Sequence, residues 1–111
     1  MLEALFGSRI KEKALLYLYT NKEGYAREIA KKFGYALDPV QKQLAKLENN
    51  GVLAAVKKGR TNIFSINPRF PFKKELEAML DKILYFMDDK EKEKYYTPRL
   101  RPRRTGKPLW K

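Results

Sequence analysis

The chain has 111 residues, with 25 Lys or Arg against 13 Asp or Glu, and contains neither cysteine nor histidine. That length suits one domain with a single core, while the missing residue types exclude disulfides, thiolate or imidazole metal sites, and catalysis built on Ser–His or Cys–His pairs. A net charge of +12 favours anionic partners, nucleic acid before a membrane surface. No paired-acid motif or phosphate-cradling glycine loop suggests other chemistry, so neither an enzyme nor a cofactor is expected. The 43% hydrophobic content is that of a globular protein. With no membrane-length apolar run and no signal-peptide pattern, the expected compartment is the cytoplasm and no membrane partner is expected.

Leu2, Leu5 and Phe6 make a short apolar opening, broken at Gly7. Ser8 is a suitable N-cap for a helix to about Asn21, in which Ile10, Ala14, Tyr17 and Leu18 recur at helical spacing. Leu15 and Leu16 widen its apolar side, which predicts packing on more than one neighbour. Asn21–Gly24 reads as a turn. A second helix is expected over Arg27–Phe33, with Ile29, Ala30 and Phe33 inward and Gly34 as its stop.

The next helix is expected over residues 38–50. Asp38 would cap it, Pro39 would occupy its first position, and Gln41 has capping-box spacing from Asp38. Asn50–Gly51 ends it. At 100° per residue Val40, Leu44 and Leu47 share one face, while Gln41, Lys42, Ala45 and Lys46 project elsewhere and Gln43 sits at the margin. Taken alone this is either an ordinary surface helix or a helix that enters a major groove. The preceding Ala30–x3–Gly34–x5–Val40 spacing meets the helix-turn-helix requirement of a small residue, a sharp turn and a branched anchor.

After Gly51 the periodicity changes. Val52–Val56 and Ile63–Asn67 read as two strands around the loop Lys57, Lys58, Gly59, Arg60, Thr61, Asn62. A hairpin directly after a recognition helix is a wing, and this basic tip would reach phosphates or the adjacent minor groove. The pieces LFGSRIKEKALLYL, YAREIAKKFG, VQKQLAKLENNGVL and KKGRTNIFSIN together resemble an ArsR-type winged helix-turn-helix transcriptional regulator from Leu5 to about Leu84. The resemblance implies DNA binding as a homodimer. Metal-sensing members rely largely on Cys and His ligands, which this chain lacks.

Pro68 and Pro71 bracket a turn before a helix from about Phe72 to Asp89. Part of its wide stripe of Leu76, Met79, Leu80, Ile83 and Met87 is expected to pair two copies of the chain, with packing in the chain's own core as the alternative. Residues 88–94 are a mixed-charge run that would extend or fray that helix. Residues 95–111 hold six Lys or Arg, no acid and three prolines, and are expected to form a basic tail beyond a domain of residues 1–94. Arg99, Arg101, Arg103, Arg104 and Lys107 would track phosphates, or merely keep the chain soluble; residues 100–103 only partly match an AT-hook.

The expected fold is therefore mainly α with a small β-hairpin: a winged helix-turn-helix with an added C-terminal dimerisation helix. The expected function is sequence-specific binding of double-stranded DNA by a homodimeric regulator. Base contacts fall to Gln41, Lys42, Gln43 and Lys46, and backbone contacts to Lys57, Lys58, Arg60, Thr61 and Asn62. An RNA-binding winged helix and a protein-interaction module are the alternatives.

Overall fold

The computed structural model describes residues 3–97. A single turn, Glu3–Phe6 (α1), precedes the central helix Arg9–Asn21 (α2). Ser8 caps α2 as expected, its Oγ accepting from the Lys11 N–H at 3.2 Å. Ala14 through Leu18 are all buried, which a helix touching one neighbour could not achieve at 100° per residue. The helix packs against both the sheet and several other helices, so it forms the middle of the core.

The chain next forms a two-residue strand, Gly24–Tyr25 (β1), then the helix Ala26–Phe33 (α3). Gly24 lies so close to α2 that a Cβ there would stand 2.9 Å from Tyr17 Cε2. α3 starts one residue before Arg27, because Tyr25 takes the cap position and donates its backbone N–H to Glu28 Oε1 at 3.1 Å. Gly34 closes the helix in the left-handed conformation, φ 75°, and its N–H is donated to the Ala30 carbonyl. Tyr35 N–H reaches the same carbonyl at 2.9 Å.

The following helix, Leu37–Asn49 (α4), corrects the expected start. Ala36 holds the cap position in extended backbone with no side-chain bond, and Asp38 lies inside the first turn. There its carboxylate pairs with Lys42 Nζ at 3.5 Å instead of capping. Pro39 still loses no hydrogen bond, because first-turn amides have no carbonyl within the helix. Val40, Leu44 and Leu47 are buried as the periodicity predicts. At the far end Asn50 Nδ2 donates to the Lys46 carbonyl at 2.8 Å, and Val52 N–H to the Leu47 carbonyl at 2.9 Å.

Leu53–Lys58 (β2) and Thr61–Ile66 (β3) form the hairpin, and β1 adds to give an antiparallel sheet ordered β1-β3-β2. The loop expected over 57–62 is mostly ladder. Lys57 pairs with Asn62 and Lys58 with Thr61, leaving Gly59–Arg60 as a two-residue turn. Two-residue connections suit the twist of paired strands, so the ladder runs nearly to the tip. Asn67 N–H, donated to the Val52 carbonyl at 2.9 Å, and Asn67 Nδ2, donated to Gly51 at 3.0 Å, fasten the hairpin base to the end of α4.

The C-terminal helix spans Lys73–Phe86 (α5), shorter than expected, because Met87 is extended. Its stripe is turned onto α2 rather than outward. Leu76, Leu80 and Ile83 are 8%, 0% and 2% exposed, so three of the five residues expected to pair two copies hold the protomer's own core. Met79 and Met87 are half-buried. The apolar surface left open here is Phe72, Tyr85 and Phe86. Tyr19 Oη donates to Asp81 Oδ1 at 2.7 Å and further ties α2 to α5.

Residues 88–94 do not fray from α5. Asp89–Glu91 (α6) runs into a π-helical turn over Lys92–Tyr96 that returns the chain to the core. Tyr96 is 2% exposed, which corrects the expected boundary after residue 94. The basic tail residues Arg99, Arg101, Arg103, Arg104 and Lys107 lie outside the described residues. Among the described residues no helix is long and apolar enough to cross a membrane.

Candidate nucleic-acid interface

α3, the Gly34 turn and α4 are held by one set of contacts. Ile29 and Ala30 from α3 and Val40 and Leu44 from α4 are 0–5% exposed and share the core with α2. Burial of each larger apolar side chain contributes about 1.5–3 kcal/mol, so the inner edge of α4 is anchored along its length. The outer edge is left to solvent: Gln41, Lys42, Ala45 and Lys46 are all exposed.

Gln43 differs from its neighbours. It is half-buried, and its Oε1 is sealed from solvent without a hydrogen-bond partner among the described residues. The Asp38–Lys42 pair is about three-quarters exposed on both sides, so it holds Lys42 only weakly. Lys42 is therefore available to a more strongly charged partner.

The hairpin stands beside α4. An open cleft of about 320 Å³ lies between them, with Gln41 and Ala45 on the α4 side and Arg60, Thr61 and Asn62 on the wing side. Four of the expected site residues, Gln41, Arg60, Thr61 and Asn62, thus meet at one cleft. Lys42, Lys46, Lys57 and Lys58 are exposed but do not line it. Thr61 Oγ1 donates to the Lys58 carbonyl at 3.1 Å, which steadies the base of the tip and leaves Arg60 extended into solvent.

Three further lining residues come from the start of α3 and its cap: Tyr25, Ala26 and Arg27. The sequence signal for Arg27 was its place in the first turn of α3, but its nearness to the wing depends on β1 pairing with β3, Tyr25 opposite Ile63. A two-residue strand has too little periodicity to be recognised. Glu48 also lines the cleft and is its acidic member among the described residues. Arg27 and Arg60 outnumber it, so the cleft favours anions, and Glu48 sets a position that a phosphate would avoid. Among the described residues no group of three or more His, Cys, Asp or Glu side chains could hold a metal ion.

Neither protein-family models nor curated protein sequences give a match to this chain. Solved structures do. YusO from Bacillus subtilis is 20% identical with a TM-score of 0.57, over 82% of this chain and 72% of that one. A double mutant of ZitR from Lactococcus lactis in apo form is 21% identical with a TM-score of 0.52, over 81% and 78%. The adhesin competence repressor AdcR from Streptococcus pyogenes is 20% identical with a TM-score of 0.50, over 83% and 78%. What this chain has in common with them is its architecture, the winged helix-turn-helix.

Proposed function

We propose that this chain is a transcriptional regulator that binds double-stranded DNA in a sequence-specific manner. The observation that carries the reading is the shared cleft of Gln41 on α4 with Arg60, Thr61 and Asn62 on the wing. A helix buried along one edge and polar along the other fits a major groove, while a basic hairpin beside it reaches the flanking phosphates or minor groove. The similarity in fold to a protein described as a repressor supports the same reading. The α4 and wing motifs ally the chain with ArsR-type regulators.

In this mechanism Gln41, Lys42 and Lys46 read base edges, with Gln a bidentate partner for adenine and Lys a donor to guanine. Gln43, with its carbonyl oxygen sealed, contributes only through its amide group. Lys57, Lys58, Arg60 and Arg27 supply sequence-independent attraction. The protein acts as a homodimer, so that two copies of α4 meet successive major grooves ~34 Å apart. Exposed Phe72, Tyr85 and Phe86 supply the pairing surface in place of the buried part of the α5 stripe.

Selection of bound duplexes from a random pool, followed by titration of variants at several salt concentrations, tests the reading. Gln41→Ala is expected to lose about 1–3 kcal/mol of discrimination at one base pair. Arg60→Ala should weaken all duplexes alike and lower the salt slope by about one unit. Equal losses for every sequence in both variants would remove the division between reading and anchoring, and preference for structured RNA over any duplex would remove DNA as the partner.

A further inference from the structure

Asn50 is the one asparagine of this sequence that precedes a glycine; Asn21, Asn49, Asn62 and Asn67 precede Lys22, Asn50, Ile63 and Pro68. The difference matters chemically, because an asparagine side-chain amide is open to attack by the backbone nitrogen of the next residue. A following side chain crowds that attack, proline has no N–H to give up, and glycine leaves the way clear. At Gly51 even a Cβ would meet nothing within 4 Å, so the surroundings of this dipeptide are open among the described residues. Asn50 itself is exposed, and water reaches it.

The end of α4 holds the dipeptide in a shape that does not react. Ring closure between the Gly51 nitrogen and Asn50 Cγ needs that nitrogen nearly eclipsed with Cβ about the Cα–C bond. At Asn50 ψ is 7°, which turns the nitrogen well away from Cβ. The eclipsed arrangement lies outside the well-populated backbone regions, so the residue reaches it only by opening the turn. Three hydrogen bonds oppose that opening. The Asn50 and Gly51 N–H groups are donated to the Lys46 and Glu48 carbonyls at 3.1 and 3.0 Å, and Asn50 Nδ2 donates to the Lys46 carbonyl at 2.8 Å. The last of these also fixes the side chain that has to swing round.

We propose that Asn50–Gly51 is a self-modification site, held in check by the last turn of α4 and released when that turn opens. In the first step the Gly51 nitrogen bonds to Asn50 Cγ as the Cγ–Nδ2 bond breaks, and Nδ2 leaves as ammonia with the proton from that nitrogen. Water then opens the cyclic imide, and no oxidant or reductant takes part. Attack at Cγ yields aspartate, while attack at the backbone carbonyl yields isoaspartate, whose main chain runs through Cβ and Cγ. Either product replaces the Nδ2 donor with a negative charge at the C-terminal end of α4, where the helix dipole opposes it. In the aspartate product the new carboxylate stands four residues from Lys46, one of the proposed base readers, and competes for it. Isoaspartate lengthens the main chain just where Asn67 fastens the hairpin to Gly51 and Val52. The consequence for duplex binding rests on the DNA-binding reading above.

Incubation of the full chain in mildly alkaline buffer, with and without guanidinium chloride, followed by peptide mapping in the mass spectrometer, tests the site without DNA. Residue 50 is expected to show the mass rise of NH exchanged for O ahead of every other asparagine. Its conversion should be at least about tenfold faster in the unfolded chain than in the folded one. Asn50→Gln, whose extra methylene disfavours ring closure, should remain unconverted. A residue 50 that stays unconverted in guanidinium chloride, or converts no faster than Asn49 or Asn62, overturns the site. Equal rates in the folded and unfolded chains overturn the gate. Affinity is then measured for a duplex recovered from the random pool. Asn50→Asp, and the converted fraction of the aged chain separated by ion exchange, should each bind it about threefold to tenfold more weakly, and Asn50→Gln should lose less. Unchanged duplex affinity in both overturns the regulatory consequence. A chain that converts at residue 50 but binds no duplex overturns the DNA-binding reading while the modification site stands.

Discussion

Phe33 and Tyr95 stack with ring centroids 4.9 Å apart and planes at 24°, fastening the end of the described chain to the first helix of the helix-turn-helix. Tyr96 tilts against the same Phe33 ring at 5.7 Å. Lys13 Nζ stands 5.4 Å from the centroid of that ring and 6.0 Å from that of Tyr95. The C-terminal segment, as far as Tyr96, is thereby part of the structure that supports α3.

This contact makes Tyr96 a stability determinant. Tyr96→Ala removes a ring that is 2% exposed, and truncations of buried aromatics cost about 3–5 kcal/mol. Urea unfolding should show the loss as a lower midpoint. An unchanged midpoint would mean that the segment does not contribute to folding.

The two glycines flanking α3 should fail for different reasons. At Gly24 a methyl group would meet Tyr17 Cε2 at 2.9 Å and Leu18 Cδ2 at 3.3 Å, so Gly24→Ala is expected to cost about 1–3 kcal/mol through overpacking. At Gly34 a Cβ meets nothing within 4 Å, and only the positive φ resists it. Gly34→Ala should therefore cost about 1–2 kcal/mol through the backbone alone. Gly34→Asn should recover part of that loss, whereas Gly24→Asn should be worse than Gly24→Ala.

The Tyr19–Asp81 contact predicts a pH dependence at high pH. The hydrogen bond donated to Asp81, then burial, then the negative charges of Asp81 and Glu77 push the Tyr19 phenol from its ordinary 10 to about 12. A pKa raised on folding contributes stability that is fully present below about 10 and is lost as the pH rises through about 12. Thermal midpoints of the unsubstituted chain and Tyr19→Phe should therefore differ by a constant amount near neutrality. That difference should narrow between about 10 and about 12. A difference that held constant across this window would mean that Tyr19 titrates normally.

The division of α5 into a buried stripe and an exposed edge separates folding from assembly. Leu80→Ala, at a position 0% exposed, is expected to cost about 2–5 kcal/mol of stability. Phe86→Ser, at a position 64% exposed, should leave the unfolding midpoint of the protomer nearly unchanged but weaken self-association in sedimentation velocity. An unsubstituted chain that sediments as a monomer at micromolar concentration would exclude the proposed pairing.

Features that depend on residues within about one helical turn of each other were legible in the sequence. The Ser8 cap, the Gly34 stop and the buried edge of Val40, Leu44 and Leu47 all belong to this kind, because caps and periodicity are set by near neighbours. The exposed row of Gln41, Lys42 and Lys46 followed from the same periodicity. Even among local features the start of α4 was missed, since Asp38–Pro39 is compatible with either a cap or a first turn. The Asp38–Lys42 ion pair belongs to the latter.

Contacts between residues far apart in the chain were settled by the tertiary structure. Periodicity showed that α5 has an apolar stripe but could not say what covers it. Its packing on α2, with Tyr19 joined to Asp81 across 62 positions, assigned the stripe to the protomer's own core. The same holds for Tyr95 and Tyr96, whose basic surroundings suggested a tail until Phe33 was found beneath them. The cleft that gathers Arg27 with Gln41 and Arg60 exists only because β1 pairs with β3. The sequence by itself determined which faces are apolar and which are charged; only the tertiary structure decided which of them meet, because packing is chosen by shape and burial across the whole chain rather than by any local pattern.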